Sequence, residues 1–125
     1  MEWEKQAEST LNAWAAAAQE GDEAARLALL RQFEPLIRGT AAWLWRGVIR
    51  SRLTDIYERE DLTQETKRLF LELIQEHTLR RGRSFTPFIV TMLRWRARNF
   101  LSRAQRRRGP GARHSIDEEW TLEQA

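Results

Sequence analysis

Cysteine is absent from the 125 residues, which excludes disulfide frameworks, thiolate metal sites and cysteine nucleophiles. The two histidines, His77 and His114, stand alone and do not make a zinc site. No apolar run approaches the roughly 20 residues that span a bilayer. The opening Met1-Glu2-Trp3-Glu4-Lys5 lacks a basic stretch followed by an apolar one, so no signal peptide is read there. There is no phosphate-cradling glycine loop, no Gly-x-Ser-x-Gly elbow and no His-Glu-x-x-His pair. β-branched residues are scattered and never alternate over a useful length, so no strand is expected. These absences leave a cytoplasmic, soluble, all-α binding protein as the expectation, not an enzyme, with no cofactor and no membrane.

What is present is arginine, unevenly placed. Of the 21 basic residues 19 are Arg, although the net charge is only +3. Arg grips phosphate in a planar fork and stacks on bases, which Lys does not. A codon bias toward Arg accounts for part of the excess. It does not account for the stretch from His77 to Ile116, which holds eleven Arg and no Asp or Glu. Upstream, acids and bases are mixed; downstream, Asp117-Glu118-Glu119-Trp120 is acidic. One surface suited to a polyanion and another of acidic character is the layout of an adaptor between nucleic acid and a protein. The length fits one domain, read here as residues 1–108, followed by a flexible basic linker or tail over 109–125.

The apolar spacing predicts a compact bundle of about four helices. The first runs from about Glu4 to Gln19, where Gly21 ends it and Asp22 caps the next. The second runs from about Glu23 to Arg52, with Leu27, Leu30, Phe33, Ile37, Ala41, Leu44 and Val48 as its core face. Pro35 should kink or break it. Trp43 and Trp45 cannot share a face, so one is expected to be partly exposed. The third helix, from about Glu58 to Thr78, would bury Leu62, Thr66, Leu69, Phe70, Leu73 and His77. Its outer face would carry Asp61, Gln64, Glu65, Arg68 and Glu72. Ser84 is read as the cap of the fourth helix, with Pro87 in its first turn. Phe85, Phe88, Ile89, Met92, Leu93, Ala97, Phe100 and Ala104 would point inward. Thr91, Arg94, Trp95, Arg98, Ser102 and Gln105 would point outward. Arg96 falls on the inward side and calls for an acid from another helix. From Arg106 onward the chain is read as a basic tail rather than helix.

Two constellations follow. Asp61, Gln64 and Glu65 form either a solvated helix start favoured by the dipole or a docking patch for a basic or amidic protein surface. The fourth helix with its Arg run is either a solvated basic face, an amphipathic helix on anionic lipid, or a nucleic-acid face. In the last case phosphate contacts release counterions and Trp95 offers a base-stacking platform. Asp61 and Glu65, one turn apart, would at most hold a cation weakly.

Several stretches together resemble region 2 of the bacterial sigma-70 family of RNA polymerase sigma factors. Gly21-Asp22, Ala24, Leu29, Phe33 and Pro35-Leu36-Ile37 resemble the family's opening. Asp61-Leu62-Thr63-Gln64-Glu65 resembles its Asp-Leu-x-Gln-Glu signature. Arg80-Arg81-Gly82-Arg83-Ser84-Phe85-Thr86 resembles its Arg-Gly-x-x-Phe-Ser turn, and Leu93-Arg94-Trp95-Arg96-Ala97-Arg98-Asn99-Phe100-Leu101 the helix after it. The likeness covers roughly residues 10 to 108. It implies that Asp61, Gln64, Glu65 and Arg68 dock on the clamp helices of the core polymerase β′ subunit. It implies that Thr91, Arg94, Trp95, Arg98, Ser102 and Arg106 meet promoter DNA at the −10 element, with Arg80, Arg81 and Arg83 near the backbone.

Two departures stand out. Thr91 and Met92 occupy positions where strongly melting members carry an aromatic pair. Region 4, which reads the −35 element, is absent from this sequence: either the sequence is part of a longer protein, or it is a stand-alone region 2 and a separate region 4-bearing partner protein is expected to supply that contact. Three rivals remain: a polymerase-binding regulator or inhibitor without promoter preference, a DNA-binding repressor independent of polymerase, and a peripheral membrane protein.

Overall fold

Turn chemistry at the helix junctions sets the path of the chain. The computed structural model describes residues 7–77 and 84–108. Within them lie five helices and no strand: α1 Glu8–Gln19, α2 Glu23–Gln32, α3 Glu34–Arg50, α4 Arg59–His77 and α5 Phe85–Arg108. After α1, Gly21 adopts φ 100°, the left-handed region that glycine enters without cost. The amides of Gly21 and Asp22 then donate to Ala18 and Ala17, closing a Schellman turn. Asp22 Oδ1 accepts from the amides of Ala24 and Ala25 at 3.0 and 3.2 Å, so the expected cap of α2 is in place.

The expected second helix is two helices. Its break lies at Phe33, which ends α2 and starts α3 with φ −103° and ψ 16°. Pro35 falls in the first turn of α3, where its missing N–H costs nothing. A continuous helix would have set its ring against the carbonyl of Arg31. Splitting the helix also corrects its core face. α2 buries Ala25 and Leu29, whereas Leu27 is 46% exposed and Leu30 only partly covered.

α3 ends in a second Schellman turn, with Leu53 donating to Val48 at 2.9 Å and Arg52 to Ile49 at 3.1 Å. Here the left-handed residue is Arg52, at φ 59°, in the place glycine usually takes. Leu53 and Val48 are both fully buried, the apolar contact that accompanies this turn. α4 starts with Asp61 Oδ2 accepting from the Glu58 amide at 2.8 Å, as in a capping box.

Two apolar clusters form the core. The larger joins all five helices around Phe33, Phe70 and Phe85, with ring centroids 5.5 to 6.4 Å apart in tilted or edge-on geometry. His77 closes it, half-buried with its ring 5.2 and 5.3 Å from Phe85 and Phe88, a helix-end packing residue. The smaller cluster holds Trp43, Leu44, Val48, Leu53, Leu62, Ala97, Leu101 and Ala104. Trp43 is buried and Trp45 partly exposed, as their spacing requires. α4 is central, packed against α1, α3 and α5.

α5 is held by residues distant in sequence. Asn12 Oδ1 accepts from the Phe85 amide at 2.9 Å and Glu8 Oε2 from the Thr86 amide at 2.8 Å. These two amides at the start of α5 are thus satisfied from α1, beside the Ser84 position read as the cap. At the other end α5 continues through Arg106 and Arg107 to Arg108, where a non-helical tail was expected. The buried stripe explains this, because Leu101, Ala104 and Gln105 are all covered. Gln105, expected outside, is fully buried and donates to Ser51 Oγ at 2.7 Å. The expected tail over 109–125, the start of the first helix before Ala7, and His114 lie outside the described residues.

Candidate functional site

Two faces of adjacent helices carry the sequence-derived candidates. On α5, Thr91, Arg94, Trp95 and Arg106 are exposed, and Arg98 and Ser102 half-buried. Their spacing follows the helical period, so they form one stripe about 22 Å long at 1.5 Å per residue. Trp95 is 48% exposed, unusual for a residue of its size. The Arg98 guanidinium sits over its ring, 5.6 Å from the centroid, a cation–π pair. That pairing fixes the indole and leaves a π surface with a cation beside it, which suits a base next to a phosphate. Arg80, Arg81 and Arg83 lie outside the described residues.

On α4, Asp61, Gln64 and Arg68 are exposed and Glu65 half-buried. They are not loose charges. Asp61 serves the helix start, and Gln64 donates to Glu60 at 2.8 Å. Arg68 bridges Glu65 and Glu72. The hydrogen bond from Arg68 to Glu65, and the attraction of both carboxylates, hold the guanidinium pKa above its ordinary value, so it stays charged. Glu65, expected on the open face, keeps only 19% of its side chain exposed because it is folded against Arg68. Arg96 of α5 has the acid partner its position called for. Its Nη2 donates to both Glu76 oxygens at 2.6 and 2.7 Å, and Nη1 lies 4.0 Å from Glu72. A chain of charges, Glu65, Arg68, Glu72, Arg96 and Glu76, thus runs from the α4 face to α5.

No protein-family model, no curated protein and no solved structure matches the chain.

Sequence reasoning missed a groove beside the α4 candidates. It has a volume of about 490 Å³ and lies between α3 and α4, lined by Pro35, Arg38, Gly39, Ala41, Ala42, Arg59 and Thr63. Small residues on α3 keep its floor low; a Cβ added to Gly39 would meet nothing within 4 Å. Arg38, paired with Glu34 at 3.3 Å, and Arg59 stand among its walls. A glycine inside the helical stretch, Gly39, is the one signal of it that the sequence carries. Among the described residues, no group of three His, Asp or Glu is placed to hold a metal ion. No described helix is long and apolar enough to cross a membrane.

Proposed function

We propose that the chain is a sigma region 2-like adaptor of transcription initiation. It docks on the clamp helices of the core RNA polymerase β′ subunit with the α4 face, Asp61, Gln64, Glu65 and Arg68. It holds promoter −10 DNA along the α5 stripe. The observation that carries this reading is the exposed Trp95 with Arg98 over its ring, on a helix without a single acid, next to a helix whose open face is rich in carboxylates. Bases stack on such a ring and phosphates meet the Arg stripe. The α3–α4 groove extends the docking face, because a partner helix needs a concave strip to seat its side chains.

The test is capture of purified core polymerase by the wild-type chain and by Glu65→Lys, with the fold of each followed by circular dichroism. Glu65→Lys removes one arm of the Arg68 bridge and sets a second positive charge beside Arg68, a cost on the order of 1 kcal/mol for a partly exposed site, so the fold should survive. Capture by the wild type alone is expected; equal capture by a folded Glu65→Lys chain would refute the docking assignment. A second reading, a polymerase-binding regulator without promoter preference, is favoured by Thr91 and Met92 standing where the family's melting aromatics occur. It predicts the same capture with no preference among promoter oligonucleotides.

A further inference from the structure

We propose that the groove between α3 and α4 takes a carboxylate side chain of a partner protein's helix, which at the same time sets a basic group over Asp61 and Glu65. The inference rests on the reading of α4 as the docking face and names the chemistry that its partner presents there. Pro35, Arg38, Gly39 and Ala42 are three and four residues apart, so they share one edge of α3. Arg59 and Thr63, four apart on α4, line the groove with them. Arg38, Gly39 and Arg59 are exposed and Thr63 half-buried. The lining thus supplies two guanidinium groups and a hydroxyl, all donors to an oxyanion. Gly39 leaves room for the stem of the incoming side chain, since even a Cβ there would meet nothing within 4 Å.

Arg59 stands where its own helix gains nothing from it. It is the first residue of α4, at the positive end of the dipole, where acids such as the next two, Glu60 and Asp61, are favoured. A carboxylate set against Arg59 would be drawn by the guanidinium and by that helix end together. Arg38 lies 3.3 Å from Glu34, and both side chains are more than half exposed. A pair so exposed is worth little, and an incoming carboxylate can take up the guanidinium. The opposite edge of α4 has the opposite sign. Asp61, Glu65 and Glu72 lie there four and seven residues apart, and the single Arg68 among them is engaged with Glu65 and Glu72. Lys67, exposed and four residues beyond Thr63, continues the basic edge. A nucleic-acid strand in the groove would bring its phosphates close to the acidic edge. A helix that is acidic on one side and basic on the other satisfies both edges, and the match fixes its rotation and register on α4.

The test is the affinity of the full chain for purified core polymerase over a salt series, with the fold of every variant followed by circular dichroism. The double variant R38E/R59E should bind at least about tenfold more weakly than wild type at low salt, because it sets like charges against the partner's carboxylate. The gap should narrow as salt rises. Gly39→Leu, whose side chain fills the groove from a position open to solvent, should weaken binding at every salt concentration. Undiminished binding by folded R38E/R59E, with binding lost on Glu65→Lys, overturns the groove proposal and leaves the docking reading standing. Weaker binding by Gly39→Leu alone points to an apolar occupant and overturns the acidic one. If R38E/R59E loses affinity for a single-stranded oligonucleotide and keeps it for polymerase, the two arginines serve nucleic acid and the proposal is likewise overturned. No binding by the wild type overturns the docking reading, and the role of the groove with it.

Discussion

Gly39 and Gly47 lie in the same helix, and the same substitution should move the stability of the protein in opposite directions. Replacing glycine by alanine inside a helix gains about 1 kcal/mol from backbone entropy and propensity. At Gly39 the new methyl meets nothing within 4 Å, so Gly39→Ala should realise that gain in full. At Gly47 the methyl runs into Cδ2 of Leu101, whose side chain is fully buried in the smaller cluster. Moving Leu101 off its packing carries an overpacking cost of about 1–3 kcal/mol. Gly47→Ala should therefore range from neutral to about 2 kcal/mol destabilised. Urea unfolding followed by far-ultraviolet circular dichroism reads both, with the midpoint compared at unchanged slope. The cycle with Leu101→Ala sharpens the argument. That change alone should cost about 2–5 kcal/mol, and in its background Gly47→Ala should become stabilising, because the obstructing atoms are gone. Equal stabilisation by Gly39→Ala and Gly47→Ala in the parent chain would refute the close approach of α3 to α5 on which the reasoning rests.

Other expectations are as specific. Trp95→Ala should weaken single-strand binding by about 1–3 kcal/mol with little change in the salt dependence, whereas Arg94→Ala should flatten the salt slope; fluorescence anisotropy over a salt series separates them, and an unchanged affinity in both would remove α5 from the binding face. Glu76→Ala should cost about 0.5–1 kcal/mol, kept small because Arg96 and Glu76 are partly exposed and Glu72 remains near. A double-mutant cycle with Arg96→Ala showing simple additivity would mean that the pair holds nothing. Arg52→Gly should be neutral or stabilise by up to about 1 kcal/mol, since a left-handed residue costs a side chain about that much. A clear loss of thermal stability would show that Arg52 contributes through its side chain.

Local chemistry was legible wherever a few neighbouring residues decide it. Gly21 and Asp22 ended one helix and capped the next by backbone geometry and a short side chain alone. Pro35 forced a break, though the break settled two residues earlier, at Phe33, where an aromatic anchor in the core meets the proline's need for a first-turn position. Arg96 demanded an acid because it falls on an inward-facing stripe, and Glu76 answers it. The opposed character of α4 and α5 follows from composition and the 3.6 period.

Contacts between distant segments decided what the periodicity misplaced. Leu27 is exposed because a short α2 has its own buried side, and Gln105 is buried because the end of α3 delivers Ser51 to it. The length of α5 beyond Arg106, the side-chain acceptors that α1 lends to its first amides, and the groove beside Gly39 likewise arise only when helices are set against one another. By itself the sequence determined which segments are helical, where most of them stop, and which faces carry which charge, because those depend on neighbours within about one helical turn. Only the tertiary structure decided which charges pair across helices, which apolar positions remain in solvent and where a groove opens between α3 and α4. Those are properties of the space between helices, which no single helix specifies.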